Sequence, residues 1–335
     1  MRRLTLPLAI ASGLSALLVA TAAFAGADPG LLPTQGDIVK ESEKKDSAWD
    51  PSLSLGASLA LSSNSDVVGQ PDGSSYTVGL NLHGSLNYLK EMHDWRNTLK
   101  IQEVFSRTPI IDSWVKTIDQ LLIESIYYMR ITPRFGPFAS FKMETAIFEG
   151  FDVRGADTTY VLAGDTLATS VRRIKLTDAF QPLVLKESIG VFYRPIAEDF
   201  LGINLRAGFG AHETFAAGAL VVDDSADTAE LELRELEDFV QAGAVIGLEA
   251  KGELEDGRVS YSAHGEVMFP LINDDAEDRS VMDLTNYDFG VKIAFKLFEW
   301  ASLDYEFKAY LQPQVSEDWQ VQNNLLLTLS YTLIE

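Results

Sequence analysis

Ser262, His264 and Glu266 supply the residue types of acyl transfer: a hydroxyl nucleophile, an imidazole base and a carboxylate to orient it. Their spacing works against that chemistry. Residues two apart on one strand are separated by about 7 Å at Cα, whereas a nucleophile and its base must come within hydrogen-bond reach. Polar alternation along one strand face yields such a trio without any catalytic role. The other histidines, His83, His93 and His212, form no cluster with it, and no serine-hydrolase or zinc motif occurs. The expectation is a chain that is not an enzyme and carries no cofactor, with an outer-membrane lipid hydrolase as the alternative. The absence of cysteine excludes disulfides, thiolate metal sites and a lipidated N-terminal cysteine.

A second set of chemically capable residues is cationic: Arg96, Lys100, Arg130, Lys142, Lys186, Arg194, Arg206, Arg258, Lys292 and Lys296, joined by Lys251 and Lys308. All fall on the polar face of an alternating stretch, where the acidic residues are Glu124, Glu144, Glu249, Glu266, Asp304 and Glu306, with Asp288 at a strand end. A polar face this basic, in a chain of net charge −22, places the acidity in the connectors. One concentration holds Asp223, Asp224, Asp227, Glu230, Glu232, Glu235, Glu237 and Asp238, and another Asp274, Asp275, Glu277 and Asp278. Neither has the spacing or central glycine of an EF-hand loop. Divalent cations shared with anionic lipids are a candidate partner there, against the plainer reading of solvated loops. Nucleic acid is disfavoured because the potential has the wrong sign.

The elements that must position these residues are strands. From Tyr76 to Tyr88 the residues Tyr76, Val78, Leu80, Leu82, Leu86 and Tyr88 share one face and Thr77, Asn81, His83, Ser85 and Asn87 the other. The same period of two runs through Tyr287, Phe289, Val291, Ile293, Phe295 and Leu297, and through Val321, Leu325, Leu327, Leu329, Tyr331 and Leu333. These runs are longer than a globular strand and suit a tilted membrane-spanning one, which needs about nine to eleven residues. A charge facing hydrocarbon at mid-depth costs about 2–4 kcal/mol. The apolar faces keep only Glu103 and Glu187 away from strand ends, so each should lie near an interface or mark a bulge.

The connectors alternate in length. Short links occur at Leu89 to Asp94, Thr132 to Phe135, Pro195 to Asp199, Leu254 to Asp256 and Glu299 to Trp300; longer ones cover 63–75, 107–115, 148–181, 213–237, 270–282 and 313–318. The fold class is therefore all-β, an antiparallel transmembrane β-barrel of about twelve strands. Ten or fourteen would follow if a weak strand fails or if 148–181 hides a hairpin. Aromatics mark two girdles, with Tyr88, Trp95, Tyr127, Phe138, Tyr193, Phe200 and Trp300 beside short turns and Tyr76, Phe105, Phe180, Phe215, Phe269, Tyr287 and Trp319 near long loops.

Arg2 and Arg3, the apolar run from Leu4 to about Ala20, and Ala23-Phe-Ala25 read as a signal peptide over residues 1–25. Residues 26–51 read as a flexible periplasmic leader and 52–335 as the barrel. The expected setting is the outer membrane, with periplasmic termini, long loops outside, a monomeric state, and outer-membrane lipids and the barrel-assembly machinery as partners. The function that follows is a structural or narrow-channel barrel whose lumen is biased toward anions. A purely structural barrel whose lumen is closed by charge pairs is the alternative.

The middle strands add a resemblance. Trp95-Arg-Asn-Thr-Leu, Lys116-Thr-Ile-Asp-Gln-Leu-Leu, Ile126-Tyr-Tyr-Met-Arg and Phe135-Gly-Pro-Phe-Ala-Ser-Phe-Lys-Met-Glu-Thr resemble uncharacterised outer-membrane barrels related to the salt-induced outer-membrane protein family. The resemblance covers the first half of the barrel and implies location and fold, but no substrate or binding residue. Such barrels commonly end in an aromatic residue, whereas this chain ends Tyr331-Thr-Leu-Ile-Glu335, a weakened assembly signal.

Overall fold

The computed structural model describes residues 48–64, 73–111, 113–224, 228–274, 279–314 and 316–334. The signal peptide, the leader up to residue 47, and Asp227, Asp275, Glu277 and Asp278 of the acidic loops lie outside the described residues. In chain order the strands are β1 (Trp49–Asn64), β2 (Gly73–Lys90), β3 (His93–Arg107), β4 (Val115–Met129), β5 (Phe135–Thr145), β6 (Gly150–Leu162), β7 (Asp165–Thr177), β8 (Leu183–Glu198), β9 (Leu201–Phe215), β10 (Leu220–Val222), β11 (Leu231–Glu235), β12 (Phe239–Leu254), β13 (Val259–Asn273), β14 (Asn286–Phe298), β15 (Ala301–Gln312) and β16 (Ser316–Ile334).

Twelve of them close an antiparallel barrel in the order β1-β16-β15-β14-β13-β12-β9-β8-β5-β4-β3-β2. Region 148–181 does hold a hairpin, β6–β7, yet it adds no barrel strand. It joins β10 and β11 from the next long connector in a separate four-stranded sheet, in which β11 runs parallel to β6. The hairpin turns through Ala163 and Gly164, both at positive φ, as a two-residue primed turn requires. The sheet has an apolar interior of its own: Tyr160, Leu176, Leu231 and Leu233 are buried together, with Ile174, Leu220 and Val222 packed against them.

The barrel inverts the burial of a soluble protein. Large apolar side chains such as Leu80, Ile189, Ile246 and Leu325 are 57–66% exposed on the outer face, while polar residues of the opposite parity such as His83, Lys100, Lys142 and Gln241 are buried inside. A continuous belt of this kind is stable only against hydrocarbon, and closure leaves no edge unpaired around most of the wall. The fold and its faces thus define a transmembrane β-barrel of the outer-membrane type.

Glu103 and Glu187 both keep the outward parity, four residues from the long-loop ends of β3 and β8. Glu103 stands opposite Asp119, one register step from a bulge at Val104/Phe105. Asp119 pairs with Lys116 and accepts the backbone N–H groups of Ile147 and Phe148 at 2.6 and 2.9 Å. That polar cluster belongs to the rim, where the wall meets a connector. One girdle residue is reassigned: Phe138 points inward and is buried with Ile126, Tyr128 and Phe192, because parity on β5 puts Gly136, Phe138, Ser140, Lys142 and Glu144 on the lumen face.

Candidate functional site

The lumen holds the sequence's cations at two depths. Near the short-turn end, Asp94 is the centre. Arg96 donates from Nε and Nη2 to its two carboxylate oxygens at 2.9 and 3.0 Å, and Arg194 donates from Nη1 at 3.1 Å. Both guanidiniums lie over rings: Arg96 is 5.6 Å from the Tyr128 centroid, and Arg194 is 4.6 Å from Tyr128 and 4.9 Å from Phe192. Tyr128 and Phe192 meet edge to face at 4.9 Å, and Asn204 Nδ2 donates to the Tyr128 hydroxyl at 3.0 Å. Arg206 lies over Phe138 at 5.8 Å and faces Glu124, Glu249 and Glu266. The arrangement is an arginine–aromatic plug, in which planar cations stack on rings while carboxylates hold their edges.

Nearer the long loops, Lys142 stands 3.9 Å from Glu144, Lys186 stands 4.0 Å from Asp288, and Lys292 stands 3.2 Å from Glu306, which Lys100 also faces. A cavity of about 60 Å³ is lined by cations and carboxylates together, Lys142, Lys186 and Arg206 with Glu124, Glu266 and Asp288, and by His212 and His264. Above it the connector between β13 and β14 turns inward: Leu284 and Thr285 are fully buried, and Asn286 Nδ2 donates to Gln241 Oε1 at 2.7 Å.

The ten cations picked from the sequence therefore divide. Arg96, Lys100, Lys142, Lys186, Arg194, Arg206 and Lys292 enter the lumen. Lys296 is exposed at the short-turn mouth, and Arg258 is exposed in the β12–β13 turn. Arg130, just past β4, donates to the Glu91 carbonyl at 2.7 Å and clasps a neighbouring turn. Sequence reading missed Asp94, which it placed at a turn; the signal was its i, i+2 spacing to Arg96, which puts both on one strand face.

Ser262, His264 and Glu266 do line one inner face, but they are not in contact as a relay. His264 turns Nε2 toward Asp288 Oδ1 at 3.3 Å, and Ser262 Oγ has no hydrogen-bond partner. In the acidic loops, Asp238 Oδ1 accepts from the backbone of Ala216 and Ala217, Asp274 accepts from Val240, and Asp223 pairs with Arg234. Among the described residues no three His, Asp or Glu side chains converge on a metal position.

Residues 65–151 match a family described as a protein of unknown function, DUF3078. The match spans β2 to β5, the stretch where the resemblance to salt-induced outer-membrane proteins lies, and that more specific resemblance gains no support from it. No curated protein matches the chain. Among solved structures, the translocator domain of the autotransporter NalP from Neisseria meningitidis is 7% identical, with 85% of this chain and 88% of that one covered, at a TM-score of 0.39. The COG4313 outer membrane channel from Pseudomonas putida F1 is 10% identical over 84% and 94%, at 0.37. The outer membrane channel DcaP of Acinetobacter baumannii is 8% identical over 87% and 99%, at 0.30. The likeness is one of general form, and the architecture rests on the closed strand circuit and the two faces of its wall.

Proposed function

We propose that this chain is a structural outer-membrane barrel whose lumen is closed at rest by its own side chains. The short turns face the periplasm, and the long loops with their four-stranded sheet face outward. One observation carries this reading: the lumen cations are matched, nearly one for one, by carboxylates on the same inner wall, around a cavity of only about 60 Å³. A selectivity filter leaves its charges facing water in an open path; here they face one another and aromatic rings. Anion preference belongs to the narrow-channel reading, which the matched charges weaken.

Planar-bilayer recording tests it. Purified protein is expected to give no sustained conductance steps in symmetric salt, and stable steps with an anion-selective reversal potential would establish the narrow channel. Because His264 points to Asp288 and not to Ser262, no fatty-acid release from phospholipid vesicles is expected; release abolished by Ser262→Ala would establish the hydrolase instead.

A further inference from the structure

The wall of the barrel is not zipped along its full height. Pairing between β1 and β16 ends at Leu59 opposite Leu327, yet β2 holds β1 in register as far as Asn64, and β15 holds β16 to Gln320 and again at Ser316. Each edge is fixed by its other neighbour, and a slit is left between them. Trp319 packs against Tyr287 and Phe289, with ring centroids 5.7 and 6.1 Å apart, and marks the outer interface on this edge. The residues that follow, Gln320 to Leu326, run from there toward the membrane interior with one backbone edge unpaired. A free strand edge at that depth is tolerated only where polar groups meet it.

The lumen face behind the slit differs from the rest of the wall. Every lumen ion pair described above lies on strands β3 to β15. Between Ser52 and Ser58 on β1, Thr77 and Asn87 on β2, and Gln320 and Thr332 on β16, the inward positions carry Ser, Thr, Asn, Gln and Gly, with His83 and Leu326 as the exceptions. Thr77, Gln322, Asn324 and Leu326 stay half-buried, whereas Lys308 and Tyr310 on the inner face of the adjoining β15 are buried. On the outer face the same edge carries Asn323, whose Oδ1 accepts from the Tyr305 hydroxyl at 3.1 Å. The slit therefore joins hydrocarbon to a sector of lumen wall that is rich in hydrogen-bonding groups and carries no Asp, Glu, Lys or Arg.

We propose that this slit is a lateral binding site for an uncharged, hydroxyl-bearing amphiphile of the outer leaflet, of the class of a monoacylglycerol. The tail remains in the bilayer, and the hydroxyl and ester groups enter between β1 and β16 to reach Gln322, Asn324 and Thr77. Such a headgroup both donates and accepts, as free backbone N–H and C=O groups and side-chain amides require. A carboxylate or phosphate headgroup would give up its hydration with no counter-charge on these three strands, which disfavours it. A strand from a second copy would pair the backbone edges but leave the uncharged inner face without a role. The site lies in the wall and stands whether the lumen is closed or conducting.

The test uses the purified full-length barrel in phospholipid nanodiscs and a monoacylglycerol carrying a photoreactive diazirine in its glycerol headgroup, with adducts mapped by peptide mass spectrometry. Adducts are expected at inward positions around Asn324 on β16 and Thr77 on β2, displaced by unlabelled monooleoylglycerol and not by equal oleate or phosphatidylglycerol. Asn324→Leu, which keeps the volume and removes the amide, is expected to lower that labelling about tenfold, the upper range for one lost hydrogen bond, with the heat-modifiable gel shift retained. Should that variant fail to fold, Gln322→Leu supplies the same readout. Labelling spread evenly around the outer wall, displacement by oleate as effective as by monooleoylglycerol, or labelling unchanged in a folded variant would overturn the proposal. So would cross-linking of Leu61→Cys in one tagged copy to Leu325→Cys in another, which gives the slit to a second copy. Bilayer recording on the same preparation reports on the closed lumen separately, so the two readings fail independently.

Discussion

Asp94 is the residue on which the short-turn end of the lumen depends. Two half-buried guanidiniums share its buried carboxylate, and both lie over rings that cannot supply a negative charge in its place. Removing one partner of a buried ionic cluster costs about 3–5 kcal/mol, because the remaining charges stay buried uncompensated. Asp94→Ala is therefore expected to lower barrel stability by that order, read as a lower temperature for the heat-modifiable shift or a lower urea midpoint. Asp94→Asn, which keeps the acceptor oxygen but not the charge, should recover only part of it. The composition of the plug could be anticipated from alternation, since Arg96, Arg194 and Arg206 fall on polar faces. The inward turn of Phe138 could not: an aromatic beside a short turn satisfies the girdle pattern equally well, and only its parity against Lys142 and Glu144 separates the two.

The external sheet is an element with its own stability. Tyr160 is fully buried within it and donates to Asp152 Oδ2 at 2.7 Å, while Arg154 donates to the same oxygen at 2.6 Å. Burial, reinforced by that bond to a carboxylate, holds the Tyr160 phenol well above its ordinary value. A raised phenol stabilises the fold while it is neutral, so this contribution is complete below about pH 10 and is lost as pH climbs above it. Tyr160→Ala should cost about 3–5 kcal/mol locally. With so small an apolar cluster to spare, that is enough to open the sheet. Limited proteolysis of the reconstituted variant should then cleave within 150–177 and 220–235, with the barrel's gel shift retained; a sheet as resistant as wild type would contradict its independence.

The seam between the first and last strands is the second element with a readable consequence. Their pairing covers seven register positions, from Leu53 to Leu59, against sixteen between β1 and β2, and it stops at Leu59 opposite Leu327 although both strands continue outward. The described chain has no native cysteine to interfere with cross-linking there. A short cross-linker should join Ala57→Cys to Leu329→Cys, which are register partners, and should join Leu61→Cys to Leu325→Cys far less well. Equal efficiency at both would show that the outer half of the seam is closed. Two-period patterning marks β1 and β16 as strands but says nothing about how far they zip, because that depends on the register each takes from its other neighbour.

At the scale of the whole molecule, closure sets what can pass. The arginine–aromatic plug, the charge-lined cavity and the inward connector at Leu284 lie in series, so a solute would have to displace ion pairs at more than one depth. Asp94→Ala, which loosens the first of these, is expected to give at most brief openings in a bilayer that wild type does not show, since the outer layers stay in place. Large steady conductance from that single change would make the plug the sole barrier. What the sequence by itself determined was the wall: a period of two, charges confined to one face, and connectors alternating in length specify membrane-spanning strands, because each reflects a solvent that acts on residues one at a time. Tertiary structure alone decided what stands opposite what. The sharing of Asp94 by Arg96 and Arg194, the register that sets Lys142 beside Lys186 and His212 beside Gln241, and the pairing of two distant connectors in one outer sheet join residues up to a hundred positions apart. Register and closure make those meetings, and no local pattern in the chain encodes them.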